Sequence, residues 1–205
     1  MNLKERLAQN LLPYTQDQYL INKLWQEIQT QYSQKGRFYH NLEHLTALFS
    51  ELEKIKSDIS DFQVISFAVF YHDIIYDASS KANEKKSAEL AKIRLSEIRV
   101  EKKSLDNIIQ QILATQLHQK SPDNDTNYLL DADLSILGQD TQTYLEYTKM
   151  IRREYSIYPD FLYKPGRRKV LLHFLESDYI FKTDYFKNKY EHQARKNIEY
   201  ELTNL

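Results

Sequence analysis

Residues 62–76 constrain this chain more than any other segment. They are apolar almost without interruption and end in Tyr71-His72-Asp73-Ile74-Ile75-Tyr76. Phe62, Val64, Ile65, Phe67, Ala68, Val69 and Phe70 leave no polar face. An element over 61–76 must therefore be covered by neighbours on every side and lie at the centre of a core. The spacing predicts a helix there, although the β-branched residues leave a strand reading open. With only 3 Gly and 4 Pro in 205 residues, tight turns are few and long helices are expected.

Elsewhere apolar residues recur at helical spacing. A helix is expected near 15–33, with Tyr19, Leu20, Leu24, Trp25 and Ile28 inward, stopped by a left-handed Gly36. Another is expected near 41–56 with Asn41 as N-cap, then others near 83–99 and 104–118. After a polar loop over 119–126, helices follow near 127–137, 139–156, 166–181 and 185–203. The expected fold is a single all-α domain over 1–205, a compact helical bundle whose C-terminal helices, about 160–205, pack on the core. Pro159 and Pro165-Gly166 mark its one candidate subdomain boundary.

Charge is nearly balanced, 28 Lys+Arg against 29 Asp+Glu, which argues against stable nucleic-acid binding or a polybasic membrane anchor. There is no cysteine, so disulfides and thiolate metal sites are excluded. The charged N-terminal segment lacks an apolar signal core, and no apolar run reaches the ~20 residues of a membrane span. A cytoplasmic protein is expected, with a homo-oligomer allowed.

An apolar helix ending in His-Asp needs a physical reason. A buried ionised Asp is costly unless a cation or several hydrogen bonds compensate it. Adjacent helical residues project about 100° apart, so His72 and Asp73 can flank one small ion if other elements complete its shell. Two sources are at hand. In Arg37-Phe38-Tyr39-His40-Asn41-Leu42-Glu43-His44, His40 and His44 lie one turn apart at a helix start. In residues 129–137, Asp131 and Asp133 sit in an apolar run, where one would face the site and the other a cap or solvent. Two imidazoles and two carboxylates with open positions suit a borderline-hard divalent ion: Mn, Mg, Zn, Fe, Co or Ni.

His44, His72-Asp73 and a distant Asp follow the order seen in the HD-domain superfamily of metal-dependent phosphohydrolases, which this chain resembles. Tyr39-His40-Asn41-x-x-His44 is similar to a motif of the cyclic-nucleotide phosphodiesterases in that superfamily, and Ala132-Asp133-Leu134-Ser135 is similar to the segment around their last metal-binding Asp. The whole chain resembles more closely a bacterial family of small HD-type phosphohydrolases. The matching pieces are residues 36–41, 72–77, Asn83-Glu84, Ser87-Ala88, Ala114-Thr115 with His118, residues 130–138, Gly166-Arg167 and Tyr190-Glu191.

The resemblance implies an HD-domain bundle with a divalent metal in a central cleft, held by His44, His72, Asp73 and Asp133 rather than Asp131. It implies His40 as general acid, with Asp133 or Asp73 orienting the attacking water. The implied activity is hydrolysis of a phosphate ester, a mono- or diester, on a small phosphorylated substrate, with a nucleotide as first choice. Superfamily members with two metals carry two further His before the final Asp. Here only His118 lies between, so one tight metal is expected, and a second would recruit Asp77, Glu84 or His118.

Plainer roles stand beside these. Arg37 binds a phosphate or pairs with a carboxylate such as Asp131; Asp131 caps or supports; Asp77 closes a loop; Glu84 opens an exposed helix; His118 faces solvent. The Tyr-rich stretch 144–163 reads as packing, His173 and His192 as non-ligands, and Lys85, Lys86, Lys92, Arg94 and Arg99 as a solvated face. The competing functions are a metal-stabilised helical interaction module without turnover, and an HD-type di-iron oxygenase.

Overall fold

The computed structural model describes residues 1–205. The chain is all-α: α1 (Leu3–Leu11), α2 (Gln18–Tyr32), α3 (Leu42–Lys54), α4 (Phe62–Tyr71), α5 (Asn83–Glu97), α6 (Lys102–Ala114), α7 (Asn124–Leu134), α8 (Thr141–Glu154), α9 (Asp160–Glu176) and α10 (Asp184–Asn204), with no strand. It divides into two compact units, Met1–Leu129 and Leu130–Leu205. No helix is long and apolar enough to cross a membrane.

In the first unit α4 is the hub, packing against α1, α3, α5 and α6. Residues 64 to 71 are all buried. Each large side chain among them contributes roughly 1.5–3 kcal/mol on leaving water, which settles the helix-or-strand ambiguity once helical neighbours surround it. Asp61 starts α4 by accepting from Gln63 N (3.1 Å) and Val64 N (3.0 Å). The helix stops at Tyr71, earlier than the apolar pattern suggests, so His72 is its C-cap and Asp73 lies in the following turn. Asp125 accepts from the backbone N–H groups of Ser60 (2.9 Å) and Asp61 (2.8 Å), tying the start of α7 to the start of α4.

Three expectations need correcting here. The buried stripe of α2 is Ile21, Leu24, Ile28 and Tyr32, while Tyr19 is 79% exposed. Tyr19 lies two residues from Ile21, about 200° round the helix, so the two cannot share a face. Arg94 leaves the solvated face to form a bidentate pair with Glu27, both bonds 2.7 Å. Helix α1, absent from the expected elements, starts at a capping box of Asn2 and Glu5 and buries Leu7 and Leu11 one turn apart.

In the second unit, α10 lies against a short 3-10 turn over Ser135–Gly138. Asn197 Nδ2 donates to the carbonyls of Leu137 (2.9 Å) and Gln139 (2.8 Å). Arg167 forks onto Glu201 at 2.7 and 2.9 Å, and the buried Tyr144 hydroxyl donates to the same carboxylate. That contact and burial hold the Tyr144 phenol far above its ordinary pKa, so it stays a donor. Pro165-Gly166 does not break the chain, because α9 runs through it from Pro159 as N-cap. Pro165 lies inside the helix, where it removes one backbone hydrogen bond and crowds the Phe161 carbonyl, yet the helix continues past it.

Gly138 is where α10 comes closest. A Cβ there would fall 2.8 Å from the Tyr190 carbonyl oxygen and 2.9 Å from its Cα. Gly138→Ala is therefore expected to cost about 3 kcal/mol, because backbone and not a flexible side chain stands in the way. Urea unfolding of the variant checks this, and a loss under about 0.5 kcal/mol would contradict the packing described.

Candidate metal centre

The geometry begins at two helix ends. Asn41 caps α3, its side-chain oxygen accepting from Glu43 N (2.8 Å) and His44 N (3.3 Å). This places His44 in the first turn of α3, pointing inward and 3% exposed. His72 ends α4 at 0% exposure. Its backbone N–H closes the helix onto Ala68 O (2.8 Å), and its Nδ1 lies 2.9 Å from Val69 O. A carbonyl only accepts, so Nδ1 carries the proton and Nε2 keeps its lone pair when the ring is neutral.

That lone pair meets two more. His72 Nε2 lies 3.3 Å from His44 Nε2 and 3.3 Å from Asp73 Oδ2. One proton on Nε2 could serve one of these neighbours, not both. A cation among them serves all three. Two donors each ~2.1 Å from an ion, 90–109° apart, lie roughly 3.0–3.4 Å from each other, which matches the observed spacing. Asp133, near the end of α7, joins the group: ligand atoms of His44, His72 and Asp133 all lie within 4.8 Å of one another. These three could hold a metal ion; Asp73, expected as a fourth ligand, is not in that group, though its Oδ2 lies 3.3 Å from His72 Nε2. The Nδ1–H···O=C bond is the outer support that metal-ligating histidines ordinarily have.

The other candidate residues sort into a ring around this group and a set away from it. His40 is at its edge, Nε2 3.9 Å from Asp73 Oδ2, with its side chain 20% exposed. Its ring stacks on Tyr76 at 4.4 Å and meets Tyr39 edge-on at 5.0 Å. Arg37 is buried and donates to His40 O (3.2 Å), Asp73 O (2.6 Å) and Ile74 O (2.8 Å). It thus bolts the turn carrying His40 to the turn carrying Asp73. The Tyr32 hydroxyl accepts from Asp73 N at 3.3 Å. Sequence reasoning gave no role to Tyr32, Tyr39, Tyr76 or the Val69 carbonyl; an aromatic on either side of the Tyr-His-Asn and His-Asp motifs was the available signal.

Asp77 is exposed, accepts from Ser79 N (2.8 Å) and Ser79 Oγ (2.7 Å), and those bonds lower its carboxyl pKa. It closes its own loop. Asn83 pins the same loop through Asp77 N (3.2 Å) and Asp77 O (2.9 Å), and Ser87 Oγ pins Ile75 through N (3.1 Å) and O (3.3 Å). Glu84 is half-buried in the first turn of α5. His118, half-buried with φ 50°, turns the chain out of α6 through its N–H to Ala114 O (3.1 Å).

Asp131 has a different task. It is fully buried, and its carboxylate accepts from Lys182 N (2.8 and 3.0 Å), Thr183 N (2.7 Å) and Thr183 Oγ1 (2.8 Å), holding the start of α10. The Arg37–Asp131 pair does not form through these atoms. Burial pushes the Asp131 carboxyl above the ordinary carboxylate range, against the pull of those hydrogen bonds, and burial also lowers the Lys182 ammonium 3.9 Å away.

Two outcomes follow. An acid whose pKa rises on folding favours the folded state most below its unfolded pKa, and that contribution is lost as pH climbs through the folded value. Asparagine does not titrate, so Asp131→Asn should destabilise more at about pH 4 than at about pH 7; a difference constant with pH in urea unfolding would be inconsistent with the shift. For the cluster, excess Mn2+, Co2+, Ni2+ or Zn2+ should raise Tm, about 2.7 kcal/mol of stabilisation at 100 times Kd, and Asp133→Asn or His44→Gln should remove most of it. Indifference of the wild-type melt to all four ions would rule the cluster out as a metal site.

No family model, curated protein or solved structure matches the chain.

Proposed function

We propose that this protein is a metal-dependent phosphohydrolase of the HD superfamily, acting on a small phosphate ester, with a nucleotide as the first candidate. The observation that supports it is the convergence of His44, His72 and Asp133, with Asp73 3.3 Å from His72, at the buried end of α4. The order of these residues and the Tyr39-His40-Asn41-x-x-His44 motif add the resemblance to that superfamily.

A divalent ion bound there would supply an activated water and polarise a phosphoryl oxygen. The chain's own residues do the rest. His44, His72 and Asp133 would hold the ion, with Asp73 as fourth ligand or water acceptor. Asp133 or Asp73 would orient the attacking water and take its proton. His40, half-exposed at the edge, would donate a proton to the leaving oxygen. Arg37, spent on three carbonyls, would keep His40 and Asp73 in register.

The test is elemental analysis of the purified protein, then assay of the metal-restored protein on p-nitrophenyl phosphate, nucleoside mono- and diphosphates and cyclic nucleotides. Release of phosphate or opening of the cyclic ester is expected from at least one, lost at least about 100-fold in His72→Ala and His40→Gln. Metal retained with no turnover across the panel would instead favour an interaction module stabilised by the ion. Two irons per chain would favour the oxygenase.

A further inference from the structure

His40 sits in the turn before α3, where no regular structure fixes its side chain. Its Nε2 lies 3.9 Å from Asp73 Oδ2. Two aromatic rings flank the imidazole. The Tyr76 phenol lies against it at 4.4 Å, tilted only 28°, and Tyr39 meets its edge at 83°. Tyr76 is itself built onto a firm base. The residue before it is tied to Ser87 through both N and O, and the residue after it to Asn83 through both N and O. The Arg37 guanidinium reaches the Tyr76 ring at 5.5 Å while bonding the His40 and Ile74 carbonyls. One cation thus pins the backbone on which each ring stands.

We propose that Tyr76 is a positioning residue for His40, a shelf that fixes the imidazole's plane beside Asp73 so that its proton is delivered in one direction. Its chemical purpose rests on the phosphohydrolase reading; its geometry does not. Tyr76 stands outside the His44–His72–Asp133 group, so removing its ring should leave ion binding alone. Stacking needs the π-face and not the hydroxyl, so phenylalanine should substitute. A misdirected acid of this kind costs on the order of 10–100-fold in turnover.

The test compares Tyr76→Ala and Tyr76→Phe in the cobalt-loaded full-length protein. The alanine variant should lose about 10–100-fold in kcat with KM and cobalt affinity within about twofold, and the phenylalanine variant should behave as wild type. The second readout needs no activity. Proton NMR of the cobalt protein should give one cobalt-shifted set of His40 ring resonances, identified by their absence in His40→Gln, retained in Tyr76→Phe and averaged or broadened in Tyr76→Ala. Unchanged His40 resonances in Tyr76→Ala, or equal damage from both variants, would overturn the proposal.

If no substrate turns over, the phosphohydrolase reading falls and the NMR comparison alone decides Tyr76. If cobalt does not bind, the metal reading falls and the ring-current shift of His40 in the metal-free protein decides it, kept with phenylalanine and lost with alanine. Should Tyr76→Ala fail to fold, Tyr76→Leu keeps the bulk without the π-face.

Discussion

A helix buried on every side must still end, and its last carbonyls must find donors away from water. α4 meets this constraint with two side chains. His72 turns back so that its N–H serves Ala68 O and its Nδ1 serves Val69 O. Arg37 covers the carbonyls of Asp73 and Ile74 just beyond. Satisfying the helix end thereby shapes the candidate site, because an imidazole that spends Nδ1 on a carbonyl presents a bare Nε2 to whatever faces it. Here it faces His44 Nε2 and Asp73 Oδ2.

The division of labour around that point is sharp. Ring nitrogens and carboxylates converge in the interior, while the half-exposed His40 stands at the rim on an aromatic support. Arg37 donates to backbone oxygens of both turns, so it braces one against the other. Asn83 and Ser87, on α5, serve the same end by pinning the loop after the His-Asp pair. Motif positions that look like chemistry in sequence are thus largely supports for a smaller group, His44, His72 and Asp133, that could hold a metal ion.

Much of the architecture was legible because burial writes itself into periodicity. The unbroken apolar run of α4 forces a central helix, and Asn41 announces the start of α3 by its side-chain chemistry. The errors have physical causes too. α1 was missed although its stripe is there; it is only 9 residues long and buries two leucines. α9 begins before Pro165 because the cost of one proline is outweighed by the rest of a 17-residue helix. Tyr19 fell on the wrong face because apolar character alone does not say which of two stripes is buried.

By itself the sequence determined an all-helical chain, a buried helix leading into His-Asp, and a short set of residues that could hold a cation. These follow from local spacing and side-chain chemistry. Only tertiary structure separates Asp131 from Asp133, two residues apart in one apolar run. Asp131 is taken by the start of α10, and Asp133 is grouped with His44 and His72. It also placed Tyr76 against His40, His118 at the exit of α6 and Arg37 between two turns. Such assignments depend on which groups distant in the chain arrive within about 3–4 Å, and no local rule encodes that meeting.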